Sequence, residues 1–132
     1  MGVKHLTGET PKSGNLITRR VVDASRYSWQ GLVACFRHEE AFRVEVVLGI
    51  LLTPLAFWLA NSAVELALLF ASMLLVLIVE ILNSAIEALA DMHGKEYNEL
   101  IGRAKDQASA AVMLSMLVFV FTWGAVLWQL FV

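Results

Sequence analysis

The chain has 132 residues, 58% of them hydrophobic and 17% charged, with a net charge of −2. It is too apolar for an ordinary soluble domain and too short for two, and its charge balance gives no reason to expect a nucleic acid partner. A single cysteine, Cys35, excludes an intrachain disulfide and a zinc site built from cysteines.

Residues 1–18 are polar, punctuated by Gly8, Pro11 and Gly14, and contain no apolar core of a cleaved signal. They read as a flexible tail. Residues 19–43 read as an amphipathic surface helix. Within it Val22, Trp29, Leu32, Val33 and Phe36 fall within about 100° of one another, and Arg19, Asp23, Arg26, Gln30 and Arg37 line an adjacent polar strip. Tyr27, Trp29 and the arginines suit a lipid–water interface; a helix packed on a soluble neighbour is the plainer alternative.

Val46–Val64 carries no charge and is interrupted only by Pro54. It predicts a transmembrane span over about 44–61, with Asn61-Ser62 as the turn. A second span is predicted over 63–89. Its first part is apolar, with no charge from Leu66 to Val79. Then come Glu80, Asn83, Ser84, Glu87 and Asp91. At 100° per residue these five share a face about 100° wide, and Glu80 and Glu87 lie about 10.5 Å apart along the axis. Asp91–Asp106 reads as a charged loop or extended helix end, broken at Gly94 and Gly102. Gln107–Val132 is again free of charge and predicts a third span over about 107–131.

Every lysine and arginine lies either at or before Arg43 or between Lys95 and Lys105. The positive-inside rule therefore puts the N-terminus and the second connection on the cytoplasmic side, where the polar face of the second span also emerges. Carboxylates at the edge of an apolar segment are costly and more often functional than decorative. Paired across helices they suit Mg²⁺, and nearby cations could neutralise phosphoryl oxygens. That combination fits phosphoryl transfer to a lipid hydroxyl. It equally fits a proton or ion relay in a small transporter, and Gly94-Lys95-Glu96 is no phosphate-binding loop. The residues alone leave both readings open.

The motifs resolve the choice. Val79-Glu-Ile-Leu-Asn-Ser-Ala-Ile-Glu87, then Asp91, Gly94, Glu96-Tyr97 and Gly102-Arg-Ala-Lys-Asp106, resemble the small bacterial diacylglycerol kinases of the proteobacterial inner membrane. Tyr27-Ser-Trp29, Gly31-Leu32, Glu39, Ala41-Phe-Arg43 and Glu45 resemble the family's N-terminal half. The likeness covers about residues 14–132. It implies an all-α integral membrane homotrimer with three transmembrane helices and an N-terminal surface helix per subunit, in the bacterial inner membrane. It implies transfer of the γ-phosphoryl of MgATP to diacylglycerol, giving phosphatidic acid. Carried over by position, Glu80 would be the general base, and Glu39 and Glu87 the Mg²⁺ ligands. Arg20, Tyr27, Glu39, Glu87, Glu96, Tyr97, Asn98, Lys105 and Asp106 would hold ATP. Arg20, Tyr27, Ser28, Trp29, Ala41, Phe42, Arg43, Glu45, Glu80, Ser109 and Trp123 would meet the lipid, and Asn83 would support the site.

Against the family's pattern, Asp23 stands for lysine, Arg26 for glycine, Asn98 for histidine and Glu40 for a small residue. A related branch phosphorylates undecaprenol; the Val-Glu-Ile-Leu-Asn-Ser wording favours diacylglycerol. His5, His38 and His93 have no ligand spacing and read as surface residues, and Cys35 as a packing residue. Three helices can hardly enclose a five-residue polar face and shield it from lipid, so an oligomer is expected from the residues themselves.

Overall fold

The computed structural model describes residues 13–132, with side chains from Leu16 onward. The part of the expected tail before residue 13 lies outside the described residues; 13–18 are already helical. The described chain forms four helices, α1 (Ser13–His38), α2 (Glu40–Leu59), α3 (Ala63–Asp91) and α4 (Glu99–Trp128), with no strand among the described residues. It divides into two compact units, up to Ala34 and from Cys35 to Val132. In the first, α1 exposes Tyr27 and Trp29; the Arg26 guanidinium sits 5.3 Å from the Tyr27 ring centroid and 4.0 Å from Asp23.

The second unit holds the last turn of α1 and the three long apolar helices. α2, α3 and α4 have 20, 29 and 30 residues and are long and apolar enough to cross a membrane. They run antiparallel in succession, with α3 packed on both α2 and α4. α2 continues through Pro54 unbroken. The turn after it is fixed by reciprocal caps. Ser62 accepts from the Glu65 amide at 3.2 Å, and the Glu65 carboxylate accepts from the Asn61 amide at 2.8 Å. Ala56, Leu59, Leu69, Met73, Trp123 and Val126 form the buried core near this turn.

The other end differs from the sequence expectation in two places. Within the range 19–43 expected for the surface helix, the chain is interrupted at Glu39, which is extended (φ −106°, ψ 116°) before α2 begins. Neither Gly nor Pro marks that break. Of the two glycines expected to interrupt Asp91–Asp106, only Gly94 does so, at φ +88°, a conformation that glycine adopts without steric cost. Gly102 lies inside α4, which starts at Glu99 because Asn98 caps it: the Asn98 side-chain oxygen accepts from the Leu100 amide at 2.9 Å and the Ile101 amide at 3.4 Å. The third apolar helix therefore begins about two turns before its charge-free stretch.

Candidate active site

The polar residues of α3 emerge where the break at Glu39 and the α3–α4 connection lie together. Helical spacing alone puts Glu80, Asn83, Ser84 and Glu87 on one face. The antiparallel packing of α2 on α3 then brings Glu39 to it: the Ser84 hydroxyl donates to Glu39 Oε1 at 3.0 Å. Glu80 is 6% exposed, within Coulombic range of Glu39 and Glu87, and Glu45 is within range of Glu80. Four carboxylates from α2, α3 and the break before α2 thus converge on one end of the bundle.

Arg43 holds the break in place. Its Nη1 donates to the Phe36 carbonyl at 3.2 Å and the Arg37 carbonyl at 3.1 Å. These are among the carbonyls that the end of α1 leaves without an intrahelical partner, where a cation is favoured. The Glu39 amide is also satisfied, by the Cys35 carbonyl at 2.9 Å. Cys35 is buried, as a packing residue should be. Burial pushes its thiol above the ordinary range; the neighbouring Ser84 hydroxyl acts against this, and the charges of Glu39, Glu80 and Glu45 add to it. A thiol held protonated is a poor nucleophile.

Several polar atoms here are buried with no hydrogen-bond partner among the described residues: both carboxylate oxygens of Glu45 and Asn83 Oδ1. Such groups cost about 1–3 kcal/mol each when left unmade, so they mark places where a ligand or a second chain is wanted. Glu45 also lines a cavity of about 270 Å³ between α2, α3 and α4, otherwise walled by apolar side chains such as Leu48, Leu52, Met73, Val76 and Phe119. Nothing in the local sequence shows this cavity; it exists only through the spacing of three helices.

The remaining candidates fall in different places. Lys105 Nζ lies 3.9 Å from Asp91 Oδ1, an exposed pair joining the start of α4 to the end of α3. Glu96 and Tyr97 are exposed in the connection, Asp106 and Ser109 are exposed on α4, and Ala41 is exposed and Phe42 buried on α2. Arg20, Tyr27, Ser28 and Trp29 are exposed on the first unit. Trp123 is not with the carboxylates. It is buried at 5% exposure in the core near the α2–α3 turn, its ring 5.5 Å from that of Phe119. Its core neighbour Leu69 lies roughly 16 Å along α3 from Glu80. Two contacts outside the sequence-level assignment hold the break: Ser84 with Glu39, and Arg43 with the Phe36 and Arg37 carbonyls at the α1 end. Ser84 could be read as polar-face, but its partner could not.

Comparisons with known proteins identify the family. Residues 26–127 match the family described as prokaryotic diacylglycerol kinase. The chain is 51% identical over 112 residues to the diacylglycerol kinase of Escherichia coli K12, covering 85% of this chain and 92% of that protein. It is 44% identical over 118 residues to that of Pseudomonas aeruginosa, covering 89% and 96%. It is 43% identical over 107 residues to that of Haemophilus influenzae, covering 81% and 91%. With its three helices of membrane-spanning length, the chain is a multi-pass membrane protein and belongs to the prokaryotic diacylglycerol kinase family.

Proposed function

We propose that the protein phosphorylates diacylglycerol with ATP, giving phosphatidic acid and ADP, at the carboxylate-rich end of the bundle. The observation that carries this reading is the convergence of Glu39, Glu45, Glu80 and Glu87 there, with Ser84 bonded to Glu39. Glu80, buried in an otherwise apolar helix, accepts the proton of the lipid's primary hydroxyl as its oxygen attacks the γ-phosphorus. The bond from that phosphorus to the bridging oxygen breaks, and ADP leaves with the electron pair. Lys105 is held only by an exposed ion pair, worth little in water, and so is free to turn to a phosphate. Asn83 brings an unpaired acceptor to the same face and Asn98 a side-chain amide to the start of α4.

The donor set fits Mg²⁺. Glu39 and Glu87 offer hard oxygen ligands, and among the described residues no three His, Cys, Asp or Glu side chains stand close enough to hold a metal ion by themselves. That suits an ion that takes one or two protein carboxylates and completes its shell with phosphate oxygens and water. When bound, it would neutralise charge on the phosphoryl oxygens. The unmet polar atoms of Glu45 and Asn83 and the exposed apolar faces, Phe57, Trp58 and Phe121 among them, support assembly with further copies of the chain, the remaining apolar surface lying in lipid; the number three is what the family resemblance implies. The N-terminus and the α3–α4 connection would be cytoplasmic, in the bacterial inner membrane.

A transporter would need a relay across the bundle. Beyond Glu80 toward the α2–α3 turn, the buried hydroxyls Ser72 and Ser115 donate to their own backbones and the core is apolar. The deciding experiment incubates purified protein in mixed micelles with MgATP and either diacylglycerol or undecaprenol. Phosphatidic acid as the main product is expected. Preferential phosphorylation of undecaprenol would reassign the lipid, and no product from folded protein would sink the kinase reading. Titrating Mg²⁺ against rate for Glu87→Ala should move the midpoint upward; an unchanged curve would remove Glu87 from the ligand set.

A further inference from the structure

We infer that Ser84 is a positioning residue that sets the carboxylate of Glu39 for a divalent cation; the inference rests on the reading of Glu39 as a metal ligand. A local preference is set aside to make the Ser84–Glu39 bond. A hydroxyl inside a helix ordinarily returns to a carbonyl three or four residues back. Thr53, Ser72, Ser115 and Thr122 do so, donating to Gly49, Leu69, Val112 and Val118 at 2.7–2.8 Å. Ser84 instead donates across to Glu39, 45 residues away in sequence. Glu39 stands just before α2, and its side chain makes no capping bond to that helix's first amides, so it is left to Ser84.

The consequence is geometric. Glu39 sits at an extended break, and its side chain has three torsions to fix. Ser84 ties its tip to α3 and so fixes its register against that helix. On α3, Ser84 lies one turn before Glu87 and one turn after Glu80, at about 4.5 Å and 6 Å of axial rise. The bond therefore holds the Glu39 carboxylate beside the part of α3 from which Glu87 projects. A hydroxyl has one proton to donate, while an ionised carboxylate has about four acceptor sites. Using one on Oε1 leaves the others available to an ion.

The test is direct metal binding by the purified full chain in detergent micelles. Mn²⁺ replaces Mg²⁺, a non-hydrolysable ATP analogue is present, and free Mn²⁺ is read by electron paramagnetic resonance. Ser84→Ala should weaken Mn²⁺ binding by about tenfold or more, the range seen when a ligand's supporting hydrogen bond is lost. Ser84→Thr, which keeps the hydroxyl, should stay within about threefold of the parent. The KM for diacylglycerol should not move. Unchanged Mn²⁺ binding in Ser84→Ala, or equal loss in the alanine and threonine variants, overturns the proposal. If the alanine variant does not fold, Ser84→Val against Ser84→Thr makes the same comparison at matched shape. Glu39→Gln separates the two layers. If it leaves Mn²⁺ binding intact, the ligand reading fails; if it weakens binding and Ser84→Ala does not, only the role of Ser84 falls. With both in place, Ser84→Ala should add nothing to Glu39→Gln.

Discussion

At the Glu39 end of the bundle, polar side chains reach between elements: Ser84 to Glu39, Arg43 to the last turn of α1, Lys105 to Asp91. At the Leu59 end, the side chains that cross between helices are apolar, with Ala56 and Leu69 fully buried, while Ser72 turns back to its own backbone. Both ends join the same three helices. The first leaves oxygen atoms of Glu45 and Asn83 unmet; the second is closed by packing, with Trp123 Nε1 its one buried side-chain atom lacking a partner among the described residues. A closed apolar end holds helix spacing without specifying chemistry, and the open polar end uses that spacing to bring four carboxylates together. The division of labour predicts that substitutions at the two ends fail in different ways.

The largest effect is expected at the open end. Glu80→Gln removes the proton acceptor while keeping size and polarity. Phosphatidic acid formation should fall by about 10²–10⁴-fold, with binding of the ATP analogue retained. Turnover near the parent rate would take Glu80 out of the proton transfer. At the closed end, Leu69→Ala should lower stability by about 2–5 kcal/mol, measured by unfolding in a denaturing detergent, while kcat per folded molecule changes little. A large loss of kcat with intact stability would mean that the two ends are coupled more tightly than their packing indicates. The smallest effect is expected at Trp123→Phe, where the void left by the smaller ring is offset by deleting the unpaired buried donor. Stability should change by no more than about 1.5 kcal/mol. A raised KM for diacylglycerol in this variant would return Trp123 to the lipid site that the family resemblance implies and separate that role from its packing.

Much of the bundle is legible in the amino-acid order. Charge-free runs at Val46–Val64 and Gln107–Val132 led to α2 and α4, and the spacing of Glu80, Asn83, Ser84 and Glu87 placed them on one face of α3. The misreadings came where long-range contacts override local signals. Glu39 breaks a helix with no Gly or Pro nearby, and Arg43 covers the carbonyls that the break exposes. Gly102 continues a helix because Asn98 starts it one turn earlier. Trp123, which its sequence context makes a packing residue and the family resemblance places on the lipid side, lies in the core with Leu59 and Leu69.

The amino-acid order by itself determined the number of long apolar helices and the composition of the polar face on α3. Both follow from periodicity and hydropathy, which act within a few residues. Only the tertiary structure decided that Ser84 meets Glu39, that Glu45 faces a cavity, and that the carboxylates share one end. The physical reason is that helical spacing sets which residues share a face but not which residue of the neighbouring helix stands opposite. That register is set by how the apolar side chains of α2, α3 and α4 interlock near Leu59, Leu69 and Trp123.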